Sequence, residues 1–174
     1  MIYILEASNI TKTYSDKLAV DNITIKLKSG EVFGLLGANG AGKTSLIECI
    51  LGTRKYDSGS VKIMGLDVHR DRKELFEQIG VQFQESNFQE QIKVYELCEE
   101  TQSLYKERLD YNELLKQFKL IELKDHLVKE LSGGERQRLF IVLALIPKPK
   151  IVFLDELTTG LDARSRRDVW KYLE

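Results

Sequence analysis

Little in this chain of 174 residues can staple or anchor it: two cysteines, two histidines, two prolines and one tryptophan. Cys49 and Cys98 stand far apart with no CxxC spacing, and His69 and His126 are equally scattered. Disulfide frameworks and zinc sites therefore have no support, and both thiols are expected to be reduced. Charge of one sign is also missing. Lys and Arg number 26 against 27 Asp and Glu, so no bulk field exists to hold a polyanion, and nucleic acid is not an expected partner. The longest apolar run, Leu139 to Ile146, is 8 residues, against about 20 for a membrane-spanning helix. The opening Met-Ile-Tyr-Ile-Leu-Glu lacks a basic flank, an apolar stretch and a small-residue cleavage site. The expected address is cytoplasmic.

With 43% hydrophobic and 30% charged residues, the composition is that of a globular domain with a layered core. Ile23, Ile25 and Leu27 alternate with Thr24 and Lys26, the period of a half-buried strand. After the turn Lys28-Ser29-Gly30, Val32 to Leu36 reads as a short buried strand and Gly42 to Leu51 as a helix. Ser58-Gly59-Ser60, Val61 to Met64 and Gly65 suggest a hairpin or sheet edge. A charged helix over Arg70 to Gln78 and a strand over Ile79 to Phe83 follow. From Gln91 to Leu131 there is neither Pro nor Gly, and leucines recur among charges, which predicts a mostly helical insert. Pro147 and Pro149 stop a helix, and the apolar tetrad Ile151 to Leu154 predicts a strand covered on both faces. Strand and helix alternation indicates a mixed α/β sheet.

Three short segments carry chemistry. Gly37-Ala38-Asn39-Gly40-Ala41-Gly42-Lys43-Thr44 satisfies G-x-x-x-x-G-K-[ST] between a predicted strand and a predicted helix. Its glycines let backbone N–H groups converge on phosphate oxygens. Lys43 neutralises β and γ oxygens, and the Thr44 hydroxyl suits Mg²⁺. Next, the strand Ile151 to Leu154 ends in Asp155 and Glu156, and adjacent residues on an extended chain point opposite ways. Asp155 can then organise magnesium while Glu156 faces the terminal phosphate and orients or deprotonates a water. The third is Leu131-Ser132-Gly133-Gly134-Glu135, directly before an apolar helix. It reads both as an N-cap with capping-box spacing and as a second anion site. Two phosphate-binding helix ends exceed what one terminal phosphate requires. A two-fold pairing in which each chain's second site closes over its partner's nucleotide removes the surplus, and points to a dimer.

The phosphate loop, LSGGE at Leu131 to Glu135, and FLDE followed by Leu157-Thr158-Thr159-Gly160-Leu161-Asp162 together resemble the nucleotide-binding domain of ATP-binding cassette (ABC) proteins over nearly the whole chain. The resemblance implies an α/β P-loop NTPase core with an N-terminal antiparallel β subdomain and a helical insert. Residues 1–84 would form the β subdomain and first part of the core, 85–130 the helical subdomain, and 131–174 the signature helix, the Walker B strand and the start of the next helix. It also implies a head-to-tail dimer enclosing two ATP molecules with Mg²⁺. By position, Tyr14 matches the aromatic that stacks on adenine, and Gly37, Asn39, Gly40, Ala41, Gly42, Lys43, Thr44 and Ser45 the phosphate cradle. Gln84 matches the glutamine that touches magnesium and the attacking water. Ser132, Gly133 and Gly134 match the signature facing the partner's γ-phosphate, and Asp162 the link between the two sites. Catalysis would fall to Glu156, Lys43 and Gln84, and metal binding to Thr44, Gln84 and Asp155.

The chain departs from the family pattern at Leu157, where proline is frequent, and it stops at Glu174 before the family's γ-phosphate histidine. It therefore reads as a C-terminally shortened cassette with slow turnover. The implied role is an ATPase subunit peripheral to the inner face of the cell membrane, working with a membrane-spanning transporter subunit as a homodimer or paired cassette. Gly80 to Glu85 and the DELTTGLD stretch resemble exporters more than importers. The rivals are a soluble ABC ATPase of DNA repair or translation, and a P-loop kinase or GTPase. The first lacks the long coiled-coil insert or second cassette it would need. The second lacks Asn-Lys-x-Asp for guanine and leaves LSGGE without a job.

Overall fold

The computed structural model describes residues 3–82 and 91–154. They fall into two compact units, which meet in sequence at Leu75 and Phe76.

The first unit is built on an antiparallel sheet of order β2-β1-β3-β4, comprising β1 (Leu5–Tyr14), β2 (Lys17–Leu27), β3 (Ser58–Ile63) and β4 (Leu66–Asp67). β1 is central because it carries the alternation that a covered strand needs: Leu5 and Ala7 are buried, then Ile10. The step from 7 to 10 breaks period two, and the structure explains it by a bulge. Asn9 has φ 54°, its N–H donates to Thr24 Oγ1 at 3.0 Å, and the register with β2 slips between Ala7 and Ile10. The expected hairpin after Ser58 is present, with Met64 and Gly65 at φ 54° and 79° joining β3 to β4. Two positive φ values match the twist of a two-residue hairpin.

Helix α1 (Lys43–Ile50) buries Leu46, Cys49 and Ile50, one stripe at helical spacing, and packs against β1 and β2. The charged helix predicted over Arg70 to Gln78 is shorter, α2 (Arg72–Phe76). The reason is local. The Asp67 carboxylate accepts from the N–H groups of His69 and Arg70 at 2.9 and 3.0 Å, holding them in a turn.

Residues 32–36 overturn the expectation of a buried strand. They have no regular structure, and Val32, Phe33 and Leu36 are 60%, 51% and 93% exposed. An apolar run encodes a tendency to be covered but not a hydrogen-bonding partner, and among the described residues no strand pairs with this segment.

The second unit holds a parallel pair, β5 (Ile79–Gln82) with β6 (Ile151–Leu154), and the helices α3 (Val94–Ser103), α4 (Tyr111–Gln117) and α5 (Gly133–Leu145). Two 3₁₀ turns, Ile121–Leu123 and Val128–Glu130, complete the predicted helical insert. Its core joins Val94, Leu97 and Cys98 of α3 to Leu114 and Leu115 of α4 and to Leu139, Ile141 and Val142 of α5. Burial pushes the Cys98 thiol up to about 12, so it is inert at neutral pH. Asp110 caps α4 by accepting from Asn112 N–H at 2.7 Å, and Arg138 Nε donates to the Phe118 carbonyl at 3.1 Å, tying α5 to the end of α4.

Gly80 lets β5 approach α5. A Cβ there would run into the carbonyl of Ala144. The predicted tetrad Ile151 to Leu154 does form a strand, paired among the described residues with β5 alone, but its four residues are half-buried instead of covered on both faces. No helix among the described residues is long and apolar enough to cross a membrane.

Candidate nucleotide-binding site

The phosphate loop begins where residues 31–38 run without regular structure and ends as α1 starts. Its path is set by two glycines in the left-handed region, Gly40 at φ 79° and Gly42 at φ 87°. Gly42 is the N-cap of α1, and a side chain there would be strained twice over: by its φ, and by collision of a Cβ with the carbonyl oxygen of Ala19 on β2. Inside the loop, Ala41 N–H donates to the Ala38 carbonyl at 3.2 Å.

Lys43 turns its ammonium back over this loop, donating to the carbonyls of Gly37 at 2.8 Å and Ala38 at 2.9 Å. The first turn of α1 holds no acidic residue, so the partial positive charge of the helix end is not neutralised by its own side chains. Thr44 is exposed and Ser45 half-buried at the same turn. A lysine ammonium, a helix N-terminus and a glycine loop form a donor set suited to a polyphosphate. A groove of about 580 Å³ between β2 and residues 31–33 of the first unit contains none of these residues.

Tyr14, at the end of β1, is half-buried beneath two cations. The Lys12 ammonium and the Arg54 guanidinium each lie 5.4 Å from its ring centroid.

In the second unit, the signature segment opens α5. Ser132 is the N-cap, and the capping box expected from the Ser132/Glu135 spacing is formed. The Ser132 N–H and hydroxyl donate to Glu135 Oε2 at 2.8 and 2.6 Å, while Glu135 N–H donates to Ser132 Oγ at 3.4 Å. The hydroxyl and amide of Ser132 hold the Glu135 carboxyl below its usual range. A lowered folded-state value means that the carboxylate's contribution is present above the unfolded value and is lost as pH falls through the folded one. Ser132→Ala is therefore expected to destabilise the fold by about 0.5–2 kcal/mol at neutral pH. The deficit should shrink in acid, read from urea unfolding at both pH values. A deficit independent of pH would separate the serine from Glu135.

The strands β5 and β6 run parallel with Gln82 opposite Leu154, so the chain leaves both at the same edge. Ligands of open α/β sheets gather at this carboxyl edge. Gln84 lies two residues after β5, and Asp155 and Glu156 directly after β6 in sequence. Their placement, and that of Asp162, lies outside the described residues. Among the described residues no cluster of His, Cys, Asp or Glu could hold a metal by itself.

Two features escaped sequence reasoning. Gln82, one of the last ladder residues of β5, is buried, with Gln137 Nε2 of α5 at 3.5 Å from its Oε1. A glutamine in a short strand gives no warning of that. The other is the charged collar of Tyr14, formed by Lys12 of β1 and Arg54 from beyond α1.

A glycine loop wrapped around a lysine at the mouth of a helix defines a P-loop nucleotide-binding protein. The comparisons narrow the class: a family model described as ABC transporter matches residues 20–159, and the chain belongs to that family. It is 37% identical to the daunorubicin resistance ATP-binding protein DrrA2 of Streptomyces coeruleorubidus over 97% of this chain and 54% of that protein. It is 32% identical to the methionine import ATP-binding protein MetN of Clostridium tetani over 98% of this chain and 57% of that protein. The chain thus spans little more than half the length of either relative. Among solved structures, the dimeric MJ0796, a bacterial ABC transporter cassette, superimposes with a TM-score of 0.83 at 27% identity, covering 97% of this chain and 81% of that one. The α/β P-loop architecture expected from the motifs is therefore the observed one, and the chain is an ABC nucleotide-binding domain.

Proposed function

We propose that this chain binds ATP through Gly37, Asn39, Gly40, Ala41, Gly42, Lys43, Thr44 and Ser45, hydrolyses it, and so powers a membrane-spanning transporter subunit. The observation that carries the proposal is the closure of the glycine loop on the Lys43 ammonium at the start of α1. Tyr14 takes the adenine ring. Thr44, Gln84 and Asp155 are the residues that would hold Mg²⁺, which when bound neutralises charge on the β and γ oxygens.

Glu156 accepts a proton from water as the water oxygen bonds to the γ-phosphorus. The bond from that phosphorus to the ADP oxygen breaks, with ADP leaving. Lys43 stabilises the charge gathered on the transferring group. Ser132, Gly133 and Gly134 of a second copy would cap the γ-phosphate in a head-to-tail dimer, with Asp162 linking the two sites. One chain supplies one phosphate loop and one signature, and pairing uses both. Export is the direction favoured by Gly80 to Glu85 and DELTTGLD; the import relative is the counterweight. The transporter subunit would hold this domain at the inner face of the cell membrane.

Calorimetric titration of the 174-residue chain with ATP and magnesium tests the reading. Saturable binding of ATP, matched in part by inorganic tripolyphosphate, is expected. A chain that binds neither would overturn the proposal.

A further inference from the structure

Arg54 follows α1 and belongs to none of the three motifs, yet its side chain is held in place on both sides. Its Nε donates to Glu48 Oε2 at 2.6 Å and its Nη2 to Glu48 Oε1 at 3.3 Å, while its guanidinium carbon lies 5.4 Å from the Tyr14 ring centroid. Glu48 is on α1, the helix that the phosphate loop starts. A second pair braces the same ring from its own strand. Lys12 Nζ is 3.0 Å from Asp57 Oδ1 and 5.4 Å from the Tyr14 centroid, and Asp57 Oδ2 accepts from Thr13 N–H at 2.7 Å.

We infer that Arg54, clamped by Glu48, is a positioning residue that presents the Tyr14 ring to the purine of the bound nucleotide. The inference rests on the reading of Tyr14 as the adenine-stacking residue. A guanidinium against an aromatic ring fixes its tilt, because the cation seeks the electron-rich face. A ring fixed before binding has less freedom to lose when a base stacks on it. The Glu48 carboxylate joins this ring to α1 through Arg54, so the base site and the phosphate site are aligned through one helix. Arg54 touches neither reacting atoms nor phosphate in this account; its effect passes through Tyr14.

The test is equilibrium titration of the 174-residue chain with ATP and separately with inorganic tripolyphosphate, which has no base. Arg54→Ala should weaken ATP binding about two- to five-fold, the range of an exposed cation–π contact, and leave tripolyphosphate affinity unchanged. Arg54→Lys, which keeps the charge, should restore most of the loss. In a Tyr14→Ala background, Arg54→Ala should cost nothing more. Equal weakening of ATP and tripolyphosphate would assign Arg54 to the phosphates or to general stability and overturn the inference. So would unchanged or tighter ATP binding, or an undiminished effect without Tyr14. If Tyr14→Ala alone binds ATP as the parent does, the adenine reading of Tyr14 is what fails. If Tyr14→Ala weakens binding while Arg54→Ala does not, only the role of Arg54 falls.

Discussion

Glu156→Gln should lower the rate of ATP hydrolysis by about 10²–10⁴ while leaving ATP affinity at or above that of the parent. The substitution keeps the shape of the side chain and removes its basicity, so water is still accommodated but its proton has no acceptor. That range corresponds to about 2.7–5.4 kcal/mol of barrier, within what a single positioned base contributes. In the proposed site Asp155 is committed to magnesium and is not available to take over. Binding should not suffer, because the lost negative charge was repulsive toward the γ-phosphate. A second consequence concerns assembly. If Ser132, Gly133 and Gly134 of another copy cap the γ-phosphate, blocking hydrolysis preserves the group that holds the pair together. Light scattering of Glu156→Gln with ATP should then show a mass twice that of the chain, returning to the single mass with ADP. Turnover within ten-fold of the parent would remove Glu156 from its role, and a single mass under ATP would remove the head-to-tail pairing.

What could be foreseen of this molecule depended on whether the information is local. The phosphate loop is eight consecutive residues whose spacing is its function, and the cap of α5 is a four-residue pattern, Ser132 to Glu135. Both could be read directly. The helical insert announced itself by lacking Pro and Gly, and the β3–β4 hairpin by Gly65. Partnership was hidden. Val32 to Leu36 and Ile151 to Leu154 have the same apolar character, but only the second finds a ladder among the described residues. The bulge at Asn9 was hidden too, since its cause is a hydroxyl on another strand, Thr24. At the base site, Tyr14 was named from family resemblance, while Lys12, Asp57, Glu48 and Arg54 drew no attention. Each is an ordinary surface charge until the fold brings them around one ring.

Lys43→Ala should reduce ATP affinity about 10- to 150-fold while changing folding stability by no more than about 1 kcal/mol. The affinity figure follows from losing a charged donor to phosphate, worth about 1.5–3 kcal/mol. Stability is a contest of small terms. The ammonium bonds to the carbonyls of Gly37 and Ala38, and losing those contacts loosens the loop. Those carbonyls belong to exposed residues that water can reach, so their loss costs little. Against that, Lys43 is the first residue of α1, where its positive charge opposes the helix dipole, and removing it returns about 0.3–1 kcal/mol. The two nearly cancel in the folding balance. They do not cancel in binding, where nothing in the first turn of α1 replaces a cation. Calorimetric titration alongside urea unfolding reads both quantities on one preparation. Near-parental affinity would mean that the cup at Gly37 to Thr44 is not a polyphosphate site. A large loss of stability would mean that Lys43 serves chiefly to hold the loop's shape.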